Sequence, residues 1–371
     1  MGINKIKRSL ISIARNIPGK SIGRKIVVIE CDDWGSIGMP SKQVYDKLLH
    51  AGLPVNENRY ERNDTVENCD DLMALFNVLR KYTDKNGNHA VMTPFCNMAN
   101  PDFEKIKAAN YQKYHRETFI DTYERYSRGS QLMEAWQTGI KEGIFIPEYH
   151  GREHIATAYW LKSLRSKSEK LRMAFDHGFV GHSLEGTPAA LKDFRPNFYI
   201  SAQSEFQDLK QSIEEGADIF KHVFRMPAKV FNAPNGVFVP ALNKSLIEKG
   251  IRFNAVPRKR LDRNADGEYV HKTYSTGERT EEGLVCYVRN GNFEPTDENY
   301  KGIDHVMNQI NGAFICGKAA VIGTHRANFV GGINELNREK GLSELDKLLK
   351  QILIKWPKAE FMSSRHFAAL L

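Results

Sequence analysis

The amino-acid sequence predicts a single α/β barrel domain, and three observations lead to this prediction. Seven short apolar runs of the kind found in buried strands recur along the chain. Amphipathic segments with helical spacing separate these runs, and such alternation indicates a parallel sheet. The 371 residues contain no Pro- or Gly-rich linker long enough to divide two domains. Seven strand–helix units in one domain of this length favour a closed barrel.

The seven apolar runs define the expected barrel strands, in order: residues 26–31, 90–96, 144–149, 225–231, 251–256, 284–288 and 319–323. Helical periodicity is clearest in residues 70–81, 204–214 and 241–249. Two polar stretches are expected to extend from the barrel. Residues 100–130 are predicted to form a helical insertion over the barrel end, and residues 258–282 an exposed excursion.

Residues 1–22 are predicted to form a basic amphipathic helix that precedes the barrel domain, residues 23–371. The apolar residues with helical spacing are Ile3, Ile6, Leu10, Ile13 and Ile17. Two interpretations remain open: the apolar stripe packs on the domain, or residues 1–20 contact an anionic lipid surface. The segment has no continuous apolar core typical of a signal peptide, and no run of about 18 apolar residues occurs in the chain. We therefore expect a cytoplasmic protein.

The composition excludes several classes of protein. The net charge of +8 is compatible with a polyanionic partner. However, 53 Lys and Arg residues are interspersed with 45 Asp and Glu residues, so we expect no nucleic-acid partner. The five cysteines form no CxxC pair, which favours a reducing compartment over a disulfide framework. The sequence does not indicate an oligomeric state.

The ends of the predicted strands carry residues suited to metal chemistry. Asp32 and Asp33 end the first run, His150 and His154 follow the third, and His325 ends the last. Reacting groups of α/β barrels lie at this end of the strands. Two adjacent carboxylates repel each other, and a divalent cation would offset that repulsion. Two His and one carboxylate suit Zn²⁺, although Co²⁺, Ni²⁺ or Fe²⁺ accept similar ligands.

The order of these motifs resembles the polysaccharide deacetylase family. The shared features are Asp-Asp, His-x-x-x-His, a strand end with Pro-Asn-Gly, and a late strand that ends in His. The likeness runs from about residue 26 to the C-terminus. It implies a distorted (β/α)7 barrel with helical insertions at the C-terminal barrel face. It also implies a metal-dependent hydrolase that removes an acetyl group from an amino sugar, oligosaccharide or polysaccharide, with a metal-activated water as nucleophile.

Carried over by position, the resemblance gives roles to five residues. Asp33, His150 and His154 match the metal ligands. Asp32 matches the catalytic base, and His325 matches the acid that protonates the leaving group.

The residues expected to contact the acetylated substrate follow the ends of predicted strands; they are Trp34, Asn97, Asn232, Pro234, Asn235, Gly236 and Arg326. The resemblance implies that the backbone N–H of Asn235 helps hold the oxyanion. Trp34 has two interpretations, a stacking surface for a sugar or a core residue. Asn97 is interpreted either as a donor to a substrate hydroxyl or as a turn residue. Arg326 is expected to face an acidic group on the substrate.

The chain also departs from the family pattern. Asn232 stands where the family has an Arg that orients the catalytic Asp, and the Asp that normally positions the late His has no counterpart. Arg258 and Arg289 are candidates for the missing charge. Three alternatives therefore stay open: a carbohydrate-binding pseudoenzyme, a glycoside hydrolase that uses Asp32 or Glu148, and an H-x-x-E-H peptidase that uses Glu153 and needs a continuous helix over 150–154.

Overall fold

The computed structural model describes residues 2–127, 129–166, 168–181, 183–184 and 193–371, with side chains from residue 9 onward. The strands, in chain order, are β1 Ile26–Trp34, β2 Met92–Asn97, β3 Ala99–Pro101, β4 Arg116–Thr118, β5 Glu148–Gly151, β6 Val230–Asn232, β7 Val237–Phe238, β8 Phe253–Pro257, β9 Lys259–Arg263, β10 Tyr269–Thr273, β11 Val285–Arg289, β12 Gly291–Asn292, β13 Ala320–His325 and β14 Glu360–Phe361.

The α-helices of the described residues alternate with these strands. They are α1 Gly2–Asn16, α2 Lys42–His50, α3 Arg59–Asn63, α4 Cys69–Arg80, α5 Phe103–Ala108, α6 Phe119–Tyr126, α7 Gly129–Lys141, α8 Thr157–Arg165, α9 Glu169–Asp176, α10 Phe206–Phe224, α11 Asn243–Glu248, α12 Ile303–Ile315, α13 Glu335–Lys355 and α14 Ser364–Ala368. No helix of the described residues is both long enough and apolar enough to cross a membrane.

The main sheet is parallel and closes into a barrel. Its strand order is β11-β8-β6-β5-β2-β1-β13-β12, and β14 adds to β1. The first and last strands of this order, β11 and β12, are separated in the chain by Asn290 alone. The Asn290 side chain accepts from the backbone N–H of Val321 at 2.8 Å and donates to the carbonyl of Ala319 at 2.9 Å. It thus imitates a strand backbone, and β11 and β12 act as one interrupted strand that completes a seven-stranded barrel.

Each of the seven apolar runs contributes a barrel strand, so the predicted α/β barrel is confirmed. The third run is the least regular, because Pro147 cannot donate a ladder hydrogen bond and β5 begins only at Glu148. The insertion at 100–130 contains the antiparallel pair β3–β4, the helices α5 and α6, and the start of α7. The excursion at 258–282 forms the hairpin β9–β10, which pairs with β7.

Alternation along the strands separates two apolar clusters. On β1, Ile26 and Val28 belong to a cluster inside the barrel, whereas Val27 and Ile29 pack on the opposite side with residues of the surrounding helices. A strand places successive side chains on opposite faces. Glu30 and Asp32 therefore continue the inner face toward the C-terminal end of the barrel, where apolar side chains give way to charged ones.

The N-terminal helix α1 contacts the barrel domain. The Ser12 hydroxyl donates to the carbonyl of Asn308 on α12 at 3.2 Å, and the Arg258 guanidinium donates to the carbonyl of Arg15. Leu10 and Ile17 remain exposed. The helix therefore contacts the domain, but Leu10 and Ile17 of the expected apolar stripe do not pack on it, and the side chains of Ile3 and Ile6 lie outside those that the structure describes. Contact of residues 1–20 with a lipid surface stays a prediction.

Candidate metal centre and active site

Asp32 and Asp33 lie side by side at the end of β1 and line the same cleft. In a regular strand they would point to opposite faces. The pairing register between β1 and β2 shifts between Cys31 and Trp34, and Asp33 has a φ of 76°. This bulge turns the Asp33 side chain toward the side that Asp32 already faces.

Asp33, His150 and His154 bring three ligand atoms together in a buried cluster. The Oδ1 atom of Asp33 lies 3.5 Å from Nε2 of His150 and 3.0 Å from Nε2 of His154. The three ligand atoms lie within 4.8 Å of one another. Two donors about 2.1 Å from one tetrahedral ion stand about 3.4 Å apart, so this spacing and the N/N/O donor set fit a divalent cation such as Zn²⁺.

The backbone around His150 holds this ring in the orientation that a ligand needs. Its Nδ1 donates to the carbonyl of Asn232 at 2.9 Å, which leaves the lone pair of Nε2 directed at Asp33. Gly151 follows with a φ of 112°, and a Cβ there would lie 2.6 Å from Nδ2 of Asn197. The turn at Gly151 therefore requires glycine. This turn reverses the chain, so that His154 also reaches Asp33.

Asp32 is held by Arg289, which ends β11, two barrel strands away from β1. Both oxygens of Asp32 accept from the guanidinium of Arg289, one of them at 2.7 Å. Nε of Arg289 donates to the buried Glu30 at 2.5 Å. Burial alone would raise the pKa of the Asp32 carboxyl, but the charge of Arg289 holds the pKa below its usual value. Asp32 is therefore ionised at neutral pH.

His325 is paired with a carboxylate that the sequence motifs did not single out. Its Nδ1 donates to Oε1 of Glu294 at 2.6 Å, and its Nε2 lies 4.0 Å from Oδ2 of Asp32. Glu294 is fixed in turn by Arg59 at 2.5 Å and by Asn328 at 2.7 Å. Burial alone would lower the pKa of His325, but the negative charge of Glu294 has the larger, opposite effect and raises the pKa to about 9.

The cleft around these residues has a volume of about 310 Å³. Its walls include Asn232, Asn235 and Gly236, three of the residues predicted to contact substrate. Asn235 and Gly236 both have positive φ, 52° and 61°. Pro234 is buried beside them and begins the short 3-10 turn that carries them. The Asn232 side chain donates to the carbonyl of Ala255 at 2.7 Å, so this residue also ties β6 to β8.

Four of the predicted substrate contacts are not among the residues that line the cleft: Pro234, which begins the turn next to it, and Trp34, Asn97 and Arg326, whose side chains are engaged elsewhere. Trp34 is fully buried against Trp136 and Phe145, so the core interpretation of this residue holds. Asn97 is fully buried and donates to the carbonyl of His150 at 3.3 Å, so it supports a ligand strand.

Arg326 is the last of these residues. Its side chain is fully buried and donates to Asp64 at 2.9 Å and to Glu67 at 2.7 Å. It follows His325 directly, and the alternation of a strand turns it away from the cleft. Its expected acidic partner is therefore found within the protein and not on a substrate.

Two carboxylates invoked by the alternative functions are engaged in structural contacts. Residues 150–154 form a strand end and a loop, so the continuous helix that an H-x-x-E-H peptidase needs is absent from this described stretch. Glu153 is bound by Arg152 at 2.5 Å and by Ser212 at 3.0 Å. Glu148 accepts from Arg365 at 2.7 Å and from backbone N–H groups. It does not line the cleft with Asp32.

Sequence reasoning missed Glu294 and only partly identified Arg289. Both follow the strand run 284–288, but neither belongs to a short motif. A sequence signal for Arg289 was nevertheless present, because Arg289 is the last residue of a buried strand, as His325 is. Of the two candidates for the missing charge, Arg289 is the one that contacts Asp32.

Comparison with known proteins gives similarity of fold. No family model and no curated protein sequence matches the chain. A putative glycoside hydrolase/deacetylase from Parabacteroides distasonis is 11% identical with a TM-score of 0.49, over 96% of this chain and 72% of that one. A putative polysaccharide deacetylase from Mycobacterium smegmatis is 12% identical with a TM-score of 0.46, over 95% and 93%.

A third solved structure is the 4-alpha-glucanotransferase from Thermococcus litoralis, at 12% identity and a TM-score of 0.46. The match covers 93% of this chain but only 40% of the glucanotransferase, so the chain spans less than half the length of that protein. Similarity at this level concerns the fold and assigns no activity.

Proposed function

We propose that this protein is a metal-dependent hydrolase that removes an acetyl group from an amino sugar or from an oligosaccharide or polysaccharide intermediate. One observation carries the proposal: a buried Asp-His-His cluster shares a cleft with an arginine-paired carboxylate and a glutamate-paired histidine. A ligand set, a base and an acid at one barrel end are the parts that hydrolysis of an amide or ester requires.

In this proposal Asp33, His150 and His154 hold the divalent cation. Zn²⁺ suits the two imidazoles and one carboxylate, and Co²⁺, Ni²⁺ and Fe²⁺ are the alternatives. When bound, the cation would supply a Lewis acid that polarises the acetyl carbonyl and lowers the pKa of water. Burial raises the pKa of the Asp33 carboxyl, but His154 and His150 hold it well below its usual range. The ligand oxygen is therefore ionised before a metal binds.

Asp32 is proposed as the base that accepts a proton from the attacking water. Its ionised state and its fixed position follow from the two hydrogen bonds with Arg289. Arg289 is held in turn by Glu30, which also accepts from Ser364 at 2.6 Å. The base is therefore positioned through a chain of contacts across the barrel interior and does not need to reorganise during the reaction.

His325 is proposed as the acid that protonates the leaving amine or alcohol. Because Nδ1 faces Glu294, the other ring nitrogen carries its proton toward the cleft. A pKa of about 9 keeps this histidine protonated at neutral pH. The backbone N–H of Asn235, on the cleft wall, is proposed to help hold the oxyanion.

The test is acetate release from a panel of acetylated amino sugars and oligosaccharides. We expect release by the metal-loaded protein and a loss of about 10²- to 10⁴-fold in Asp32→Asn, the range typical of a general base. Asp46→Asn, the same change at an exposed carboxylate on α2, serves as the matched control and should retain full activity. Sugar release without acetate would contradict the proposal and favour a glycoside hydrolase. Equal activity of Asp32→Asn would also contradict it.

A further inference from the structure

A second cavity, of about 500 Å³, lies beside the cleft of the metal centre. Residues 15–18, strands β9 and β11, and the segment 274–276 contribute to its walls. We call it the basic pocket. Its cationic residues are Arg15, Arg258, Lys259, Arg289 and Lys318, and no Asp or Glu is among its described lining residues.

Four of these five cations have no carboxylate partner among the described residues. Arg289 is neutralised by Glu30 and Asp32. Arg258 and Lys318 donate instead to the backbone carbonyls of Arg15 and Gly19. Lys318 is only 7% exposed. An ammonium group that is buried without a counter-charge lowers the stability of the fold. An anion bound in the basic pocket would supply that counter-charge, and the ammonium group would in turn stabilise the bound anion.

The basic pocket is continuous with the cleft of the metal centre. Arg258, Arg289, Gly291 and Asn292 line both cavities. One substrate molecule can therefore place an acetyl group at the Asp-His-His cluster and a charged group among the cations. Arg289, one of these shared residues, also holds the proposed base.

The number of unpaired cations distinguishes between types of anion. A carboxylate carries one negative charge and would leave most of the positive charge of the pocket unbalanced. A phosphate group carries about −1.5 to −2 at pH 7 and offers several acceptor oxygens. A volume of about 500 Å³ also exceeds that of one small oxyanion and accommodates the group to which the phosphate is attached.

We infer that the basic pocket binds the phosphate or diphosphate group of an acetylated amino-sugar substrate. The substrate class is then a phosphorylated or diphosphate-linked sugar rather than a neutral polysaccharide. This inference rests on the proposed deacetylation, but phosphate binding by the pocket can be measured without any turnover. Charge-assisted hydrogen bonds from arginine and lysine are the contacts expected to give this selectivity.

The experiment titrates inorganic pyrophosphate into the metal-loaded protein by calorimetry. The test variant combines Arg15→Glu with Lys259→Glu, two exposed positions where charge reversal leaves the core untouched. The control is Lys350→Glu, an exposed lysine on α13. We expect pyrophosphate to bind at least about tenfold more weakly to the double variant and equally to the control. Binding should persist in Asp33→Asn, which separates the pocket from the metal ligands.

The substrate arm compares two acetylated sugars, one neutral and one diphosphate-linked. The double variant should raise KM for the diphosphate-linked sugar and leave KM for the neutral sugar unchanged. The inference is overturned if pyrophosphate fails to bind, binds equally to the double variant, or is lost in Asp33→Asn. It is also overturned if glucuronate binds more tightly than pyrophosphate. Intact pyrophosphate binding without acetate release from any sugar would instead contradict the proposed deacetylation, and with it the assignment of the anion to an acetylated sugar.

Discussion

The pairing of His325 with Glu294 predicts that one substitution outside the sequence motifs changes the proton affinity of the proposed acid. In Glu294→Gln the side chain keeps its size and an acceptor for Nδ1, but it loses its negative charge. The positive form of His325 then loses the partner that contributes most to raising its pKa. We therefore expect the pKa of His325 to fall toward its ordinary value of 6.5.

The size of the effect follows from the local charges. The pKa of His325 is raised to about 9, and the charges of Asp33 and Asp32 contribute to the rise together with that of Glu294. Because the two aspartates remain in the variant, we expect a decrease of about one to two pH units, or about 1.4–2.7 kcal/mol. A decrease of two units would leave about a tenth of the acid protonated at pH 8, so kcat at that pH should fall about tenfold.

The pKa is measured from the NMR titration of the His325 ring, which His325→Gln assigns, and from the alkaline limb of kcat. The control is Glu298→Gln, which neutralises a carboxylate that is 74% exposed and pairs with Arg62. A bound cation lowers the pKa in every variant, so all are compared in the same metal state. An unchanged pKa in Glu294→Gln, or an equal change in Glu298→Gln, would refute the assigned role of Glu294.

Three further substitutions test other contacts. Arg289→Lys should retain the metal but lower kcat by about tenfold or more, because lysine cannot make the paired hydrogen bonds to the base; unchanged kcat would refute this. Arg326→Met should destabilise the fold by about 3–5 kcal/mol in urea unfolding, because it leaves Asp64 and Glu67 buried without their cation; a loss below about 1 kcal/mol would contradict it. Hydrogen bonds from its cationic partners lower the pKa of Glu360 to about 2. The ionised carboxylate therefore stabilises the fold above pH 4.5. Glu360→Gln should lower the free energy of unfolding by about 1–2 kcal/mol at pH 7, after allowance for the exposed partners, and this difference should vanish as the pH falls from 4.5 to 2. A difference that does not depend on pH would refute this.

The barrel strands were predictable because each contains a compact apolar run that only a two-sided burial explains. The closure of the barrel was not predictable, since β12 has only two residues and the side chain of Asn290 adds hydrogen bonds to Ala319 and Val321 that no sequence pattern announces. The late start of β5 was foreseeable from Pro147, which cannot take part in a ladder.

The site was predictable where polar residues that can bind a metal follow the apolar run of a buried strand, as Asp33 and His150 do. Trp34 was harder to place, because the bulge with positive φ at Asp33 changes which way the following side chains face. Arg326 follows the period of two, and the same rule that points His325 into the cleft turns its neighbour away. Glu294 was not predictable, because its contact with His325 is set by the tertiary fold and not by a motif.

Metal content is the most direct test of the central claim. Asp33→Asn and Asp32→Asn are the same chemical change at adjacent residues of one cleft, and asparagine tolerates the positive φ of Asp33. Elemental analysis of purified protein should find about one divalent metal ion per chain in the parent protein and in Asp32→Asn, and a large loss in Asp33→Asn. Equal metal content in all three proteins, or no metal in the parent protein under metal-replete conditions, would contradict the account.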